Sequence, residues 1–141
     1  DESSASGSVY IESGKSVLGP GGSIFIKAND GAISDGGHVE VVAGSTGGHA
    51  SKGGSMTIAA GEGSNEDEGD GGNGGTLTLT GGFANGRAKI DTGGDAIFRG
   101  GDSMMGNSGS VLVSSGFSSD GSSGRTSIES SPSGPNGVSG D

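Results

Sequence analysis

The sequence predicts an all-β fold: a β-solenoid of about eight glycine-bounded repeats, with two repeats per coil and two facing ladders of strands. Two observations predict it. A pattern of glycine, polar, apolar, variable and apolar residues recurs along the chain. Its apolar residues stand two apart, which places them on one face of a strand. No stretch has the periodicity of a helix, so we expect strands and loops alone.

Each repeat begins at a residue that we call its leading glycine. Successive leading glycines are 15, 15, 17, 21, 19, 15 and 15 residues apart, and they are Gly7, Gly22, Gly37, Gly54, Gly75, Gly94, Gly109 and Gly124. A recurring spacing of this kind is typical of stacked repeat architectures. We expect one short strand in each repeat, and we expect the bounding glycines to supply positive φ angles at the turns.

The inward apolar side chains are predicted to stack in rows and form a thin structural core. The loops between strands offer apolar residues at offsets that look irregular, so we place the opposite wall of the core in a second repeat. An antiparallel sandwich is the alternative, because loops of this length also allow the chain to reverse direction. The predicted core residues are Val9, Ile11, Ile24, Ile26, Val39, Val41, Met56, Ile58, Leu77, Leu79, Ala96, Phe98, Val111, Val113 and Ile128.

Composition alone would favour a disordered chain. Glycine supplies 35 of the 141 residues, 27% are hydrophobic, and the net charge is -10. The seven Lys and Arg residues are scattered, which argues against nucleic-acid binding. The chain has no apolar run of the roughly 18 residues that a membrane span needs. Without cysteine, stability has to come from the repeat itself.

The repeats predict one β-solenoid domain over residues 1–129, followed by a Ser/Pro/Gly-rich tail or linker over residues 130–141. The chain opens on Asp1 and not on Met, from which we expect a processed chain or an excised domain. Exposed serine and threonine beside glycine and proline could accept glycans.

The longest loop carries the strongest concentration of charge in the chain. Carboxylates on a flexible glycine backbone suit calcium, although the spacing is not that of an EF-hand or of the calcium-binding nonapeptide repeat. A solvated acidic loop is the plainer interpretation. Calcium is the one cofactor considered, and its candidate ligands are Glu62, Glu66, Asp67, Glu68 and Asp70.

The outward strand positions could form a binding plane. Half of them are sizeable apolar groups, which suggests that a neighbouring chain covers part of this face, whereas isolated exposed apolar residues are also normal. These positions are Tyr10, Phe25, Glu40, Thr57, Thr78, Ile97, Leu112 and Ser127. We expect no catalytic residues and no enzyme activity, because neither a nucleophile elbow nor a unique cleft breaks the repeat.

The units Gly21-Gly22-Ser23-Ile24-Phe25-Ile26 and Gly53-Gly54-Ser55-Met56-Thr57-Ile58 resemble those of the glycine- and serine-rich repeat proteins of diatoms and related microalgae. The resemblance covers roughly residues 7–130. It implies an exported or surface-associated protein and carries over no functional residues. We therefore expect an extracellular structural or assembly-forming protein that associates with itself or with a neighbouring chain. The alternative is a surface-binding module of the carbohydrate-binding, adhesin or ice-binding type.

Overall fold

The computed structural model describes residues 5–135 and 137–140 of the chain. Over these residues the backbone forms turns, bends and irregular segments, with no helix and no strand. The prediction of an all-β solenoid is therefore wrong, both for the eight strands and for the two facing ladders. Apolar alternation indicates a local preference for extended backbone, but a strand forms only where a neighbouring segment pairs with it through a ladder of backbone hydrogen bonds.

In place of ladders, seven loops in the described part of the chain are each closed by one backbone hydrogen bond, and we call each closure a neck. In every neck, the N–H of a leading glycine donates to the carbonyl oxygen seven positions after the preceding leading glycine. The donor–acceptor distances run from 2.8 to 3.3 Å. The donors and acceptors are Gly22 with Gly14, Gly37 with Asn29, Gly54 with Gly44, Gly75 with Gly61, Gly94 with Gly82, Gly109 with Gly101, and Gly124 with Gly116.

These necks divide each repeat into a constant part and a variable part. The segment from a leading glycine to its acceptor is always eight residues long. The change in repeat length from 15 to 21 residues therefore falls within the loops. The longest loop, 61–75, is the acidic one.

The chain divides into two compact units, Asp1–Ala59 and Ala60–Asp141. The first unit holds the necks 14–22, 29–37 and 44–54, and the second holds the other four. The division falls inside the repeat region, and the predicted boundary between repeat domain and tail at residue 129 stays a prediction. In the tail, the Gly137 N–H donates to the Gly134 carbonyl oxygen at 3.2 Å.

Neither unit has a hydrophobic core among the described residues, since no side chain there is buried. The predicted core is thus not formed within the single chain. All fifteen predicted core residues are exposed, namely Val9, Ile11, Ile24, Ile26, Val39, Val41, Met56, Ile58, Leu77, Leu79, Ala96, Phe98, Val111, Val113 and Ile128. The physical reason is that the described residues form no helix or sheet that could pack on these side chains, and apolar side chains leave water only where another element covers them.

The glycines do not serve the turns in the expected way. None of the described glycines has a positive φ, and the described residue that does is Ala50, at 54°. Ala50 lies in a turn that the Ser51 N–H closes by donating to the Gly48 carbonyl oxygen. No described glycine is therefore required for a left-handed conformation, and close approach of backbone to backbone requires glycine only at particular positions, such as Gly81 and Gly100.

Candidate functional site: the loop necks and the acidic loop

The two glycines of a neck differ in the space around them. A Cβ placed on the donor Gly109 would lie 2.9 Å from the nitrogen of Gly101, and one on Gly54 would lie 3.2 Å from the nitrogen of Gly44. A Cβ on either acceptor, Gly101 or Gly44, would meet nothing within 4 Å. The same openness holds at the other glycine acceptors, Gly14, Gly61, Gly82 and Gly116.

This asymmetry accounts for the residue types in five of the seven necks. All seven donors are glycine, whereas the acceptor position accommodates Asn29 in the second repeat. Steric pressure explains the glycine at five donors, whereas a Cβ on Gly75 or Gly124 would lie 3.4 or 3.5 Å from its nearest neighbour, which is ordinary contact. The leading glycines found in the sequence are thus the residues that close the loops.

Small residues lie against the donor glycines at a constant repeat position, and the sequence analysis did not identify them. The residue six positions after each leading glycine lies against the next leading glycine: the Cβ of Ala28 would be 3.1 Å from a Cβ on Gly37. A larger side chain would push the neck open. These residues are Ser13, Ala28, Ala43, Ala60, Gly81, Gly100 and Ser115.

Two of these small residues have to be glycine. A Cβ on Gly81 would overlap the carbonyl oxygen of Gly94, and a Cβ on Gly100 would overlap that of Gly109. In the first neck, by contrast, the Ser13 hydroxyl adds a bond by donating to the Gly22 carbonyl oxygen at 2.8 Å. The signal that could have found these small residues is their constant offset from the leading glycine.

Three of the four shortest loops share a serine turn. In each, a glycine N–H donates to the hydroxyl oxygen of the serine three residues before it, at 2.9 to 3.0 Å. The serine hydroxyl thus satisfies a backbone N–H that has no backbone acceptor among the described residues of the turn, as in other turns closed by a serine side chain. The pairs are Ser16 with Gly19, Ser103 with Gly106, and Ser118 with Gly121.

The fourth short loop, 29–37, has Gly31 where the other three have serine. A Cβ on Gly31 would overlap the carbonyl oxygen of Asp35. This loop therefore folds by a tighter backbone path that excludes any side chain at that position.

Two ion pairs cross the entrances of the short loops at the same repeat position. Lys27 lies 4.0 Å from Asp30, and Arg99 lies 3.6 Å from Asp102. In both cases the cation stands five residues and the carboxylate eight residues after the leading glycine. All four side chains are exposed, so each pair contributes at most about 1 kcal/mol.

The acidic loop uses part of its charge to hold its own backbone. The Asp67 carboxylate accepts hydrogen bonds from the backbone N–H groups of Gly69, at 2.8 Å, and Asp70, at 3.3 Å. These two donors, Gly69 first, hold the pKa of Asp67 below its ordinary value. The Asp67 N–H in turn donates to the Asn65 side-chain oxygen, and the Gly72 N–H donates to the Asn65 carbonyl oxygen.

The predicted calcium ligands do not converge. Within residues 5–135 and 137–140, no three acidic or histidine side chains come together in a group that could hold a metal ion. The candidates Glu62, Glu66, Asp67, Glu68 and Asp70 are all exposed along the loop. No pocket is found in the described part of the chain.

The eight-residue segments have two unlike faces. We define the inner face as the positions two and four residues after each leading glycine, and the outer face as the position three residues after it. In the second repeat the exposed fractions are 49% for Ile24, 90% for Phe25 and 75% for Ile26. In this repeat the period of two that the sequence predicts is therefore present in the accessibility, even without strands, whereas in the first repeat Val9 and Tyr10 are almost equally exposed, at 88% and 86%.

The partial covering of the inner face comes from the necks. Val9, whose repeat has no described neck before its leading glycine, is 88% exposed, compared with 49% for Ile24 and 57% for Val111. Covering also weakens away from the neck, since Ile26 and Val113 are more exposed than Ile24 and Val111. In these two repeats the side chain nearest the neck is thus the more sheltered of the pair, whereas Leu77 and Leu79 are 50% and 54% exposed and differ little. After the last neck, the corresponding position is held by Thr126 and not by an apolar residue.

Comparison of the chain with protein-family models, with curated proteins and with solved structures gives no match. The resemblance to glycine- and serine-rich repeat proteins of microalgae stays a prediction. In the described part of the chain, nothing forms a helix of the length and apolar character needed to cross a membrane.

Proposed function

We propose that this chain is a structural repeat protein that becomes ordered by assembling with other copies, as a component of a cell surface, matrix or filament outside the cell. We propose no catalytic role for it. The observation that carries the proposal is the accessible surface of the single chain, which is 14253 Å².

That area is too large for a chain that is stable alone. A folded monomer of 13.3 kDa is expected to expose about 6,500 Å², and the same chain fully unfolded about 19,000 Å². The single chain therefore buries only about a quarter of its surface, where a domain of this length buries nearly 70%. Burial of this extent does not offset the conformational entropy of ordering the backbone.

The seven necks favour the interpretation that the chain assembles over the interpretation that it stays disordered. Each neck closes at the same offset with the same donor, so the repeats present their apolar side chains in a recurring arrangement. A recurring arrangement allows many weak contacts to form together, and repeat proteins gain their stability in this way. The extracellular location rests on the glycine- and serine-rich repeat and its resemblance to surface proteins.

Sedimentation velocity of the purified chain over a wide concentration range tests the proposal. We expect a slow, expanded monomer at low concentration and large species above a critical concentration, with regular assemblies visible by negative-stain microscopy. A single expanded monomer at every concentration and ionic strength would contradict the proposal.

A further inference from the structure

We propose that the inner face is the contact surface between copies, and that a second copy of this chain covers it with its own inner face. This inference rests on the proposed function and names the partner and the surface. The outer face then stays at the boundary of the assembly or meets solvent.

The residue types separate the two faces. Four residues after the leading glycine, the inner face carries an aliphatic side chain or Phe in all eight repeats, from Ile11 to Ile128. The outer face is mixed, and half of its positions are polar: Glu40, Thr57, Thr78 and Ser127. Contact through the outer face would bury Glu40 without a defined partner, which is costly, whereas contact through the inner face buries no charge.

Accessibility shows that the inner face is available. Ile26 is 75% exposed and Val41 is 70% exposed, although both were expected in a core. In the second and seventh repeats, the inner-face residue two positions after the leading glycine is partly covered, and the next inner-face residue, two positions further on, is more exposed. The uncovered strip is therefore apolar, recurs once per repeat and needs an apolar partner to leave water.

The partner must share the repeat, which argues for a second copy. The excess accessible area over that of a folded monomer is about 7,800 Å², whereas a standard interface takes about 800 Å² from each partner. One ordinary docking contact thus leaves most of the excess exposed. A copy of the same chain offers the same apolar pairs at the same spacing, so every repeat can contribute to the contact.

Two neighbouring residues give a matched test in the full-length chain. Ile26→Asp places a carboxylate on the inner face, and Phe25→Asp places the same carboxylate on the outer face of the same segment. We expect Ile26→Asp to raise the critical concentration for assembly by about tenfold or more, because it buries an unpaired charge. We expect Phe25→Asp to shift it less than about twofold.

The outcomes separate the face from the function. Suppose that the unmodified chain assembles. If Phe25→Asp is then the more disruptive variant, or if both variants have the same effect or none, the inner-face assignment is wrong and the proposed function stands. An unmodified chain that never assembles would overturn both. Amide exchange at Gly37, the donor of the following neck, checks that both variants keep the local structure.

Discussion

Two alanine substitutions in one neck should act in opposite directions. At Gly109 a Cβ would lie 2.9 Å from the nitrogen of Gly101 and 3.6 Å from its carbonyl oxygen, so the neck has to open. Opening removes the 2.9 Å hydrogen bond that the Gly109 N–H donates to Gly101. At Gly101 the same Cβ meets nothing within 4 Å, and the backbone there does not have a positive φ.

The expected magnitudes follow from those two environments. Loss of one neck hydrogen bond costs about 1 kcal/mol, so Gly109→Ala should reduce the closed population of the neck about fivefold. Gly101→Ala removes flexibility from the open state without a clash, so it should favour closure by about 0.4–1 kcal/mol, or about two- to fivefold.

Hydrogen exchange of the residue 109 amide, followed by NMR in dilute, unassembled protein, measures both effects. Protection relative to the unmodified chain should fall for Gly109→Ala and rise for Gly101→Ala. Equal effects of the two substitutions would refute the argument that the donor glycine is required by close approach, since glycine flexibility alone would treat both positions alike.

Three further predictions concern the loops. Gly31→Ser introduces the serine that the other short loops have at this position. It should loosen loop 29–37, because the added Cβ would overlap the Asp35 carbonyl oxygen. The expected readout is reduced hydrogen-exchange protection of the Gly37 amide. Ser103→Ala should free the Gly106 N–H and cost about 0.5–1 kcal/mol of loop closure, with a faster Gly106 amide exchange as the readout and an unchanged rate as the contrary result. The pKa of Asp67 is lowered in the structured loop, so the ionised carboxylate stabilises the turn above the ordinary pKa of the carboxyl group, and this stabilisation is lost as the pH falls through the lowered pKa. The NMR chemical shift of the Gly69 amide should therefore change with pH in that acidic range. The same shift should not change with pH in Asp67→Asn.

The sequence located the repeat but not its closing interactions. All seven donors of the necks, Gly22 to Gly124, are leading glycines found from the sequence spacing alone. The acceptors and the small residues facing the donors also recur at constant offsets, but nothing in residue chemistry marks Ala28 or Asn29 as part of a closure. Steric fit is visible only when the backbone path is known.

The loop residues were misread for a simpler reason. Counted from the leading glycine, Leu18, Ile33 and Met105 stand at the same offset, so the apolar residues of three short loops are regularly placed. All three are fully exposed. Their order is hidden when loops of different length are compared together, and it becomes visible when each loop is counted from its own leading glycine.

Apolar alternation predicts strands that do not form, because alternation does not specify a pairing partner. Val39 and Val41 favour a pleated surface, and their segment does show two faces, but the backbone lacks the neighbouring ladder that makes a strand. The backbone preference is set by the residues of the segment itself, whereas strand pairing also requires a neighbouring segment that accepts and donates backbone hydrogen bonds. The acidic loop likewise gathers carboxylates in sequence without gathering them in space.

The central claim is that the single chain closes its necks and that assembly supplies the rest of its order. Backbone amide exchange, measured below and above the concentration at which the chain assembles, tests it most directly. We expect the leading-glycine amides to show weak protection at both concentrations, and the amides within the eight-residue segments to be protected only in the assembled protein. Strong protection of those segments in the dilute monomer, or none in the assembly, would contradict the account.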